Sequence, residues 1–134
     1  MKAFLLLASF VIACSSSMST TVQLPATVKM RVGDSATIRG TSWTLVFDSV
    51  VSDSRCPIDV QCIQAGEAVL AMQLANPHAE PQPPDNPRFT LGSRPVTVEG
   101  FRLTQVEITP VRHVNQAIAQ KSYAAKLHIE QASP

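Results

Sequence analysis

Tyr123-Ala124-Ala125-Lys126-Leu127-His128-Ile129-Glu130 alternates strictly between two kinds of side chain. Tyr123, Ala125, Leu127 and Ile129 share one parity; Ala124, Lys126, His128 and Glu130 share the other. A period of two places the first set on a covered face and the second toward water, the pattern of a half-buried antiparallel strand. The same rhythm recurs upstream. Val28, Met30 and Val32 alternate with Thr27, Lys29 and Arg31; Gly33-Asp34 interrupts; Ala36 and Ile38 resume it. Trp43, Leu45 and Phe47 alternate with Thr44, Val46 and Asp48, and Val96 and Val98 run into a turn at Glu99-Gly100. Such short strands divided by turn residues predict an all-β domain, a small antiparallel β-sandwich or a partly open barrel.

Two segments test that reading. In Phe101 to Thr109, Phe101 and Leu103 have one parity and Val106 and Ile108 the other. A one-residue slip turns every side chain over, so either a bulge lies near Thr104-Gln105 or both faces are covered. Asp59 to Ala75 is rich in helix formers, and Asp59 is a plausible cap. Gly66 interrupts it and strands flank it, so Glu67 to Leu74 reads as a strand. Asn76 to Pro87 carries five prolines, a density that no helix or central strand accepts, and reads as an exposed loop. Asn115 to Gln120 reads as a short helical turn before the last strand.

The chain has 134 residues, of which 45% are hydrophobic and 16% charged, with a net charge of +1. That suits one folded domain and opposes disorder. It argues against nucleic acid as a partner, since phosphate binding needs a clustered basic surface.

Met1 to Ser17 reads MKAFLLLASFVIACSSS. Lys2 precedes an uncharged apolar run, Ala3 to Ala13, which is shorter than the about 20 residues of a membrane-spanning helix and suits the core of a signal peptide. Val11-Ile12-Ala13-Cys14 resembles the lipobox of bacterial lipoproteins. The resemblance implies a diacylglyceryl group on the Cys14 sulfur, cleavage before Cys14, and acylation of the new amino group. The expected organisation is a signal peptide over 1–13, a lipidated Cys14 with a Ser/Thr-rich tether over 14–24, and one β-domain over 25–134. Loss of Lys2 leaves equal numbers of acidic and basic side chains, and hence no global field to steer a charged partner. Ser15, in the position after the Cys, resembles the outer-membrane sorting pattern where two membranes are present. The expected location is therefore the cell envelope, on the periplasmic face of the outer membrane in such cells, with the membrane as partner through Cys14.

Cys56 and Cys62 remain as a pair. In an oxidising compartment an even pair reads as a disulfide. Closing so short a loop is worth about 2 kcal/mol in the chain-entropy picture. Zinc is disfavoured, since there is no second Cys pair and His78, His113 and His128 lack zinc-type spacing. Asp48, Asp53, Asp59 and Glu67 are acids near the loop, but they follow no calcium-loop spacing and Arg55 lies among them. The simpler reading has Asp53 bonding turn amides and Arg55 pairing with an acid. No metal and no cofactor is therefore expected.

Asp53-Ser54-Arg55-Cys56-Pro57-Ile58-Asp59-Val60-Gln61-Cys62, followed by Ile63-Gln64-Ala65-Gly66, resembles the signature of a group of small bacterial exported proteins and lipoproteins, mostly uncharacterised. Trp43 to Val51, Gly100 to Pro110 and Tyr123 to Glu130 are similar to strands of the same group. Gln64 stands where that group usually has Trp, and Val111-Arg112 replaces its Tyr-Pro. The resemblance implies the β architecture and the Cys loop, and implies no reaction.

No Gly-x-Ser-x-Gly elbow, phosphate loop or His-Glu-x-x-His is found, so no catalytic residue is assigned and the protein does not read as an enzyme. Trp43, Phe47, Phe89, Phe101 and Tyr123 fall mostly on apolar strand faces, where core packing accounts for them. The expected role is binding or structural at the envelope, toward an envelope protein or ligand, with Asp53, Arg55, Pro57 and Asp59 as the candidate interaction loop. The alternative is a disulfide-loop inhibitor of a protease or other envelope hydrolase, presenting Arg55 ahead of Cys56-Pro57 on a rigid segment.

Overall fold

The computed structural model describes residues 16–79 and 86–134. The expectations for the signal peptide, Cys14 and Ser15, and for Pro81, Pro83 and Pro84, fall outside the described residues. The described residues form two sheets packed as an open sandwich. The first sheet has the order β1-β3-β4-β5-β6, from β1 (Ser19–Val22), β3 (Ser35–Ile38), β4 (Thr44–Asp53), β5 (Ala68–Ala75) and β6 (Arg88–Leu91). The second has the order β2-β9-β8-β7, from β2 (Ala26–Arg31), β9 (Ala124–Gln131), β8 (Phe101–Thr109) and β7 (Val96–Val98). All neighbours are antiparallel except β1 and β3, which run parallel. The all-β expectation holds, and its open form is a sandwich.

The alternating positions build the core. Val28 and Met30 of β2, Ala36 and Ile38 of β3, and Leu127 and Ile129 of β9 are buried, while Lys29, Arg31 and Lys126 point outward. The chain crosses between sheets at Gly33-Asp34. Gly33 has φ +95°, a backbone region open to glycine. The Asp34 carboxylate accepts from the Met18 N–H at 3.0 Å and the Arg31 N–H at 2.8 Å, so one side chain secures both β1 and the turn.

Asp59 to Ala75 contains no helix. Ala68, Leu70, Met72 and Leu74 of β5 are buried and their neighbours are half-buried, the signature of a strand with both faces partly covered. The apolar β4 and β8 strands contain bulges. β4 loses register between Phe47 and Ser49 and again between Val50 and Ser52, so Asp48 and Val51 are extra residues. The insertion at Asp48 allows Leu45, Phe47 and Val50 all to reach the core despite their mixed parity, and the one at Val51 brings Asp53 back to the same face. β8 loses register between Gln105 and Glu107. The bulge is thus at Val106, just past the expected Thr104-Gln105. Val106 is expelled to 55% exposure, and Ile108 returns to the core.

Two boundaries move. The Ser/Thr-rich stretch expected as tether enters the first sheet at Ser19, where the Ser19 hydroxyl meets that of Ser35 at 3.0 Å. The helical turn expected over Asn115 to Gln120 is a 3-10 turn over Gln120–Ser122. Asn115 instead takes φ 59° within the preceding loop.

Candidate functional site: the disulfide loop and its brace

β4 ends at Asp53 and β5 begins at Ala68, opposite it in register. The intervening chain is a broad loop closed across its base. The Ser54 N–H donates to the Glu67 carbonyl at 2.9 Å, and the Glu67 N–H donates to the Ser54 hydroxyl at 3.1 Å. Gly66 is required here for space, since a Cβ would overlap the Ser54 carbonyl. The Glu67 carboxylate accepts from the Ser93 N–H at 2.6 Å, which ties the base to the β6–β7 connection and holds its pKa below the usual carboxylate range. Cys56 and Cys62 are joined by a disulfide, with Cα atoms 5.9 Å apart.

Asp53 and Arg55 form the brace. Arg55 Nε donates to Asp53 Oδ1 at 2.8 Å, and Nη2 donates to Oδ2 at 2.7 Å, a forked pair. The rest of the guanidinium reaches the end of β8 and the first residue of the β8–β9 connection. Nη1 donates to the Ile108 carbonyl at 2.7 Å, and Nη2 donates to the Pro110 carbonyl at 2.9 Å. The Tyr123 hydroxyl donates to Asp53 Oδ2 at 3.0 Å. Only 7% of the Asp53 side chain and 19% of the Arg55 side chain remain exposed. Burial disfavours the Asp53 charge, yet the bonds from Arg55 and Tyr123 outweigh it and hold this carboxyl below its ordinary pKa. The same pairing raises Arg55. Burial, followed by the adjoining Asp53 carboxylate, pushes the Tyr123 phenol up.

The second half of the loop leans on the same connection. Arg112 Nη1 donates to the Arg55 carbonyl at 2.7 Å, and the Ile58 N–H donates to the Arg112 carbonyl at 2.9 Å. Both Asp59 oxygens accept from the Val114 N–H, at 3.0 and 3.3 Å, and this backbone donor lowers the Asp59 pKa. His113 Nδ1 lies 3.8 Å from Asp59 Oδ2. Gln120 fixes the far side of the connection: its amide donates to the Val50 carbonyl and accepts from the Val50 N–H, both at 2.9 Å.

Of the four candidate interaction residues, Asp53 and Arg55 therefore face inward and Pro57 is half-buried. Asp59 is exposed, with its carboxylate turned to the neighbouring backbone. The outward side chains are others. Ile63 is fully exposed, Ile58 is 67% exposed, and Val60, Val111 and Val114 are exposed around them. Tyr123, Arg112 and Gln120 also belong to the site and were not among the candidates. Tyr123 reads from sequence as one more apolar-face residue, and its phenolic oxygen, which needs a partner when buried, is the only advance signal of its second task.

The acids near the loop are not gathered together. Asp53 is engaged by Arg55 and Tyr123, Asp59 by Val114, Glu67 by Ser93, and Asp48 occupies a bulge on β4. Among the described residues no three of His, Cys, Asp or Glu are grouped to hold a metal ion. Also among them, no helix is long and apolar enough to cross a membrane. No family model, curated protein or solved structure matches the chain.

Proposed function

We propose that this chain is a lipid-anchored protein of the bacterial cell envelope, attached through Cys14, whose sandwich serves a binding or structural role. The observation that carries the reading is Val11-Ile12-Ala13-Cys14 at the end of an uncharged apolar run behind Lys2. The Cys56–Cys62 bond supports it, because such bonds persist in exported proteins. The orientation of Arg55 favours a binding or structural role over inhibition through that side chain. To be presented to a protease, the guanidinium would have to leave Asp53 and the carbonyls of Ile108 and Pro110. Metabolic labelling with a clickable fatty acid tests the anchor. The wild-type chain takes up label and is shortened, whereas Cys14→Ser remains unlabelled and uncleaved. Label retained by Cys14→Ser would overturn the assignment.

A further inference from the structure

The topology places the disulfide loop and the start of the described chain at one end of the sandwich. Ser19 pairs with Ser35, and Ser35 pairs with Val46. β1 runs parallel to β3 and β4 runs antiparallel to it, so the chain before Ser19 heads the same way as β4 beyond Val46. From Val46 to Asp53, with Asp48 and Val51 taken up in bulges, the strand advances roughly 17 Å. From Ser19 back to Cys14 are five residues, whose greatest reach is also roughly 17 Å. A lipid on Cys14 thus has no length of tether to hold the Cys56–Cys62 loop and the Pro110–Ser122 connection clear of a bilayer.

Those two segments carry the exposed aliphatic side chains Ile58, Val60, Ile63, Val111 and Val114. They adjoin one another through the Ile58–Arg112 and Asp59–Val114 bonds. Clustered exposed aliphatics mark an interaction surface. At the same end, Ser16 and Ser17 lie in a groove with Arg31, Lys121 and Asp34, two cations to one carboxylate that already bonds the Met18 and Arg31 amides, which suits the headgroup level.

We infer that this end of the sandwich docks directly on the bilayer, with Ile58, Val60, Ile63, Val111 and Val114 entering the boundary between headgroups and acyl chains. The inference rests on the lipid-anchored reading and adds an orientation to it. The disulfide loop becomes a membrane-contacting element, and Trp43 and the end of β5 at Ala75 lie away from the surface.

The processed full-length lipoprotein, reconstituted in phosphatidylethanolamine and phosphatidylglycerol vesicles with brominated acyl chains, provides the test. Ile63→Trp introduces a fluorophore at a fully exposed position, and Val60→Trp repeats the measurement nearby; Trp43 at the opposite end is the internal reference. The expected result is added emission that is blue-shifted and lost to bromine quenching, while Trp43 emission is retained. Vesicle flotation with both added tryptophans unquenched would overturn docking and leave the anchor standing. Added tryptophans that stay unquenched in the vesicles and blue-shift only when solubilised envelope proteins are reconstituted with them assign the patch to a protein and also overturn docking. Loss of flotation together with loss of fatty-acid label overturns the anchor itself, and the inference with it.

Discussion

Replacing Arg55 by alanine removes the one side chain that joins the disulfide loop to both Asp53 and the β8–β9 connection. It leaves the Asp53 carboxylate, 7% exposed, with the Tyr123 hydroxyl and without a counter-charge, and it takes a charged donor from the Ile108 and Pro110 carbonyls. Breaking a buried ion pair from one side costs about 3–5 kcal/mol. Each bond to a charged group contributes about 1.5–3 kcal/mol, and such contributions do not add. Arg55 is 19% exposed, so solvent relieves part of the loss. The expected loss of stability is about 3 kcal/mol, equivalent to a fall in Tm of roughly 10 °C. Urea unfolding at neutral pH with the disulfide intact measures it. Arg55→Lys keeps the charge but lacks the planar fork, and should recover less than half of the loss. Adding Asp53→Asn to Arg55→Ala should cost much less than the sum of the single changes, because the pair is coupled. The pH dependence is a further check. Asp53 has a lower pKa folded than unfolded, so its contribution is present above the unfolded value near 3.8 and is lost as pH falls through the folded value. Arg55→Ala should remove that acid-side loss. A midpoint for Arg55→Ala within about 0.5 kcal/mol of wild type, or full recovery by lysine, would refute the brace.

Gly66→Ala forces a Cβ onto the Ser54 carbonyl and should destabilise by about 1–3 kcal/mol, with faster hydrogen exchange at the Ser54 and Glu67 amides. Val106→Thr should shift the unfolding midpoint by less than about 0.5 kcal/mol, whereas Ile108→Ala should cost about 2–5 kcal/mol. The reverse order would place the β8 bulge elsewhere. Cys56→Ser with Cys62→Ser should lower stability by about 2 kcal/mol, and the native protein should take up no maleimide at either cysteine before reduction.

The strands whose core face keeps one parity were legible from sequence, because burial on a single face imposes a period of two. That holds for Val28 and Met30, for Ala36 and Ile38, and for Leu127 and Ile129. β8 was legible only as a conflict of parity. Nothing in Phe101 to Thr109 itself selects the extra residue, which is set by pairing with Leu127 and Lys126 of β9. β1 was hidden for a similar reason. Ser19-Thr20-Thr21-Val22 is polar and short, and its strand state comes from the open edge of β3. In the loop, the pairing of Arg55 with an acid followed from their proximity in sequence. Its reach to Ile108 and Pro110 did not, because those acceptors are backbone carbonyls, invisible in side-chain chemistry and 53 and 55 residues away. The exposure of Ile58, Val60 and Ile63 is not legible in sequence, because a loop without a repeating pattern carries no period from which the facing of a side chain can be read.

The parallel pairing of β1 with β3 has a mechanical consequence. Traction on the chain ahead of Ser16, directed away from the sandwich, pulls β1 along its own axis. Ser19 through Val22 are held side by side with Ser35 through Ile38, so their bonds are loaded together in shear and are not opened one after another as in peeling. The Asp34 carboxylate, bonded to the Met18 N–H, stands at the loaded end of that ladder and takes up strain before it reaches the sheet. Such traction would therefore meet the whole β1–β3 ladder before it reached the core behind it.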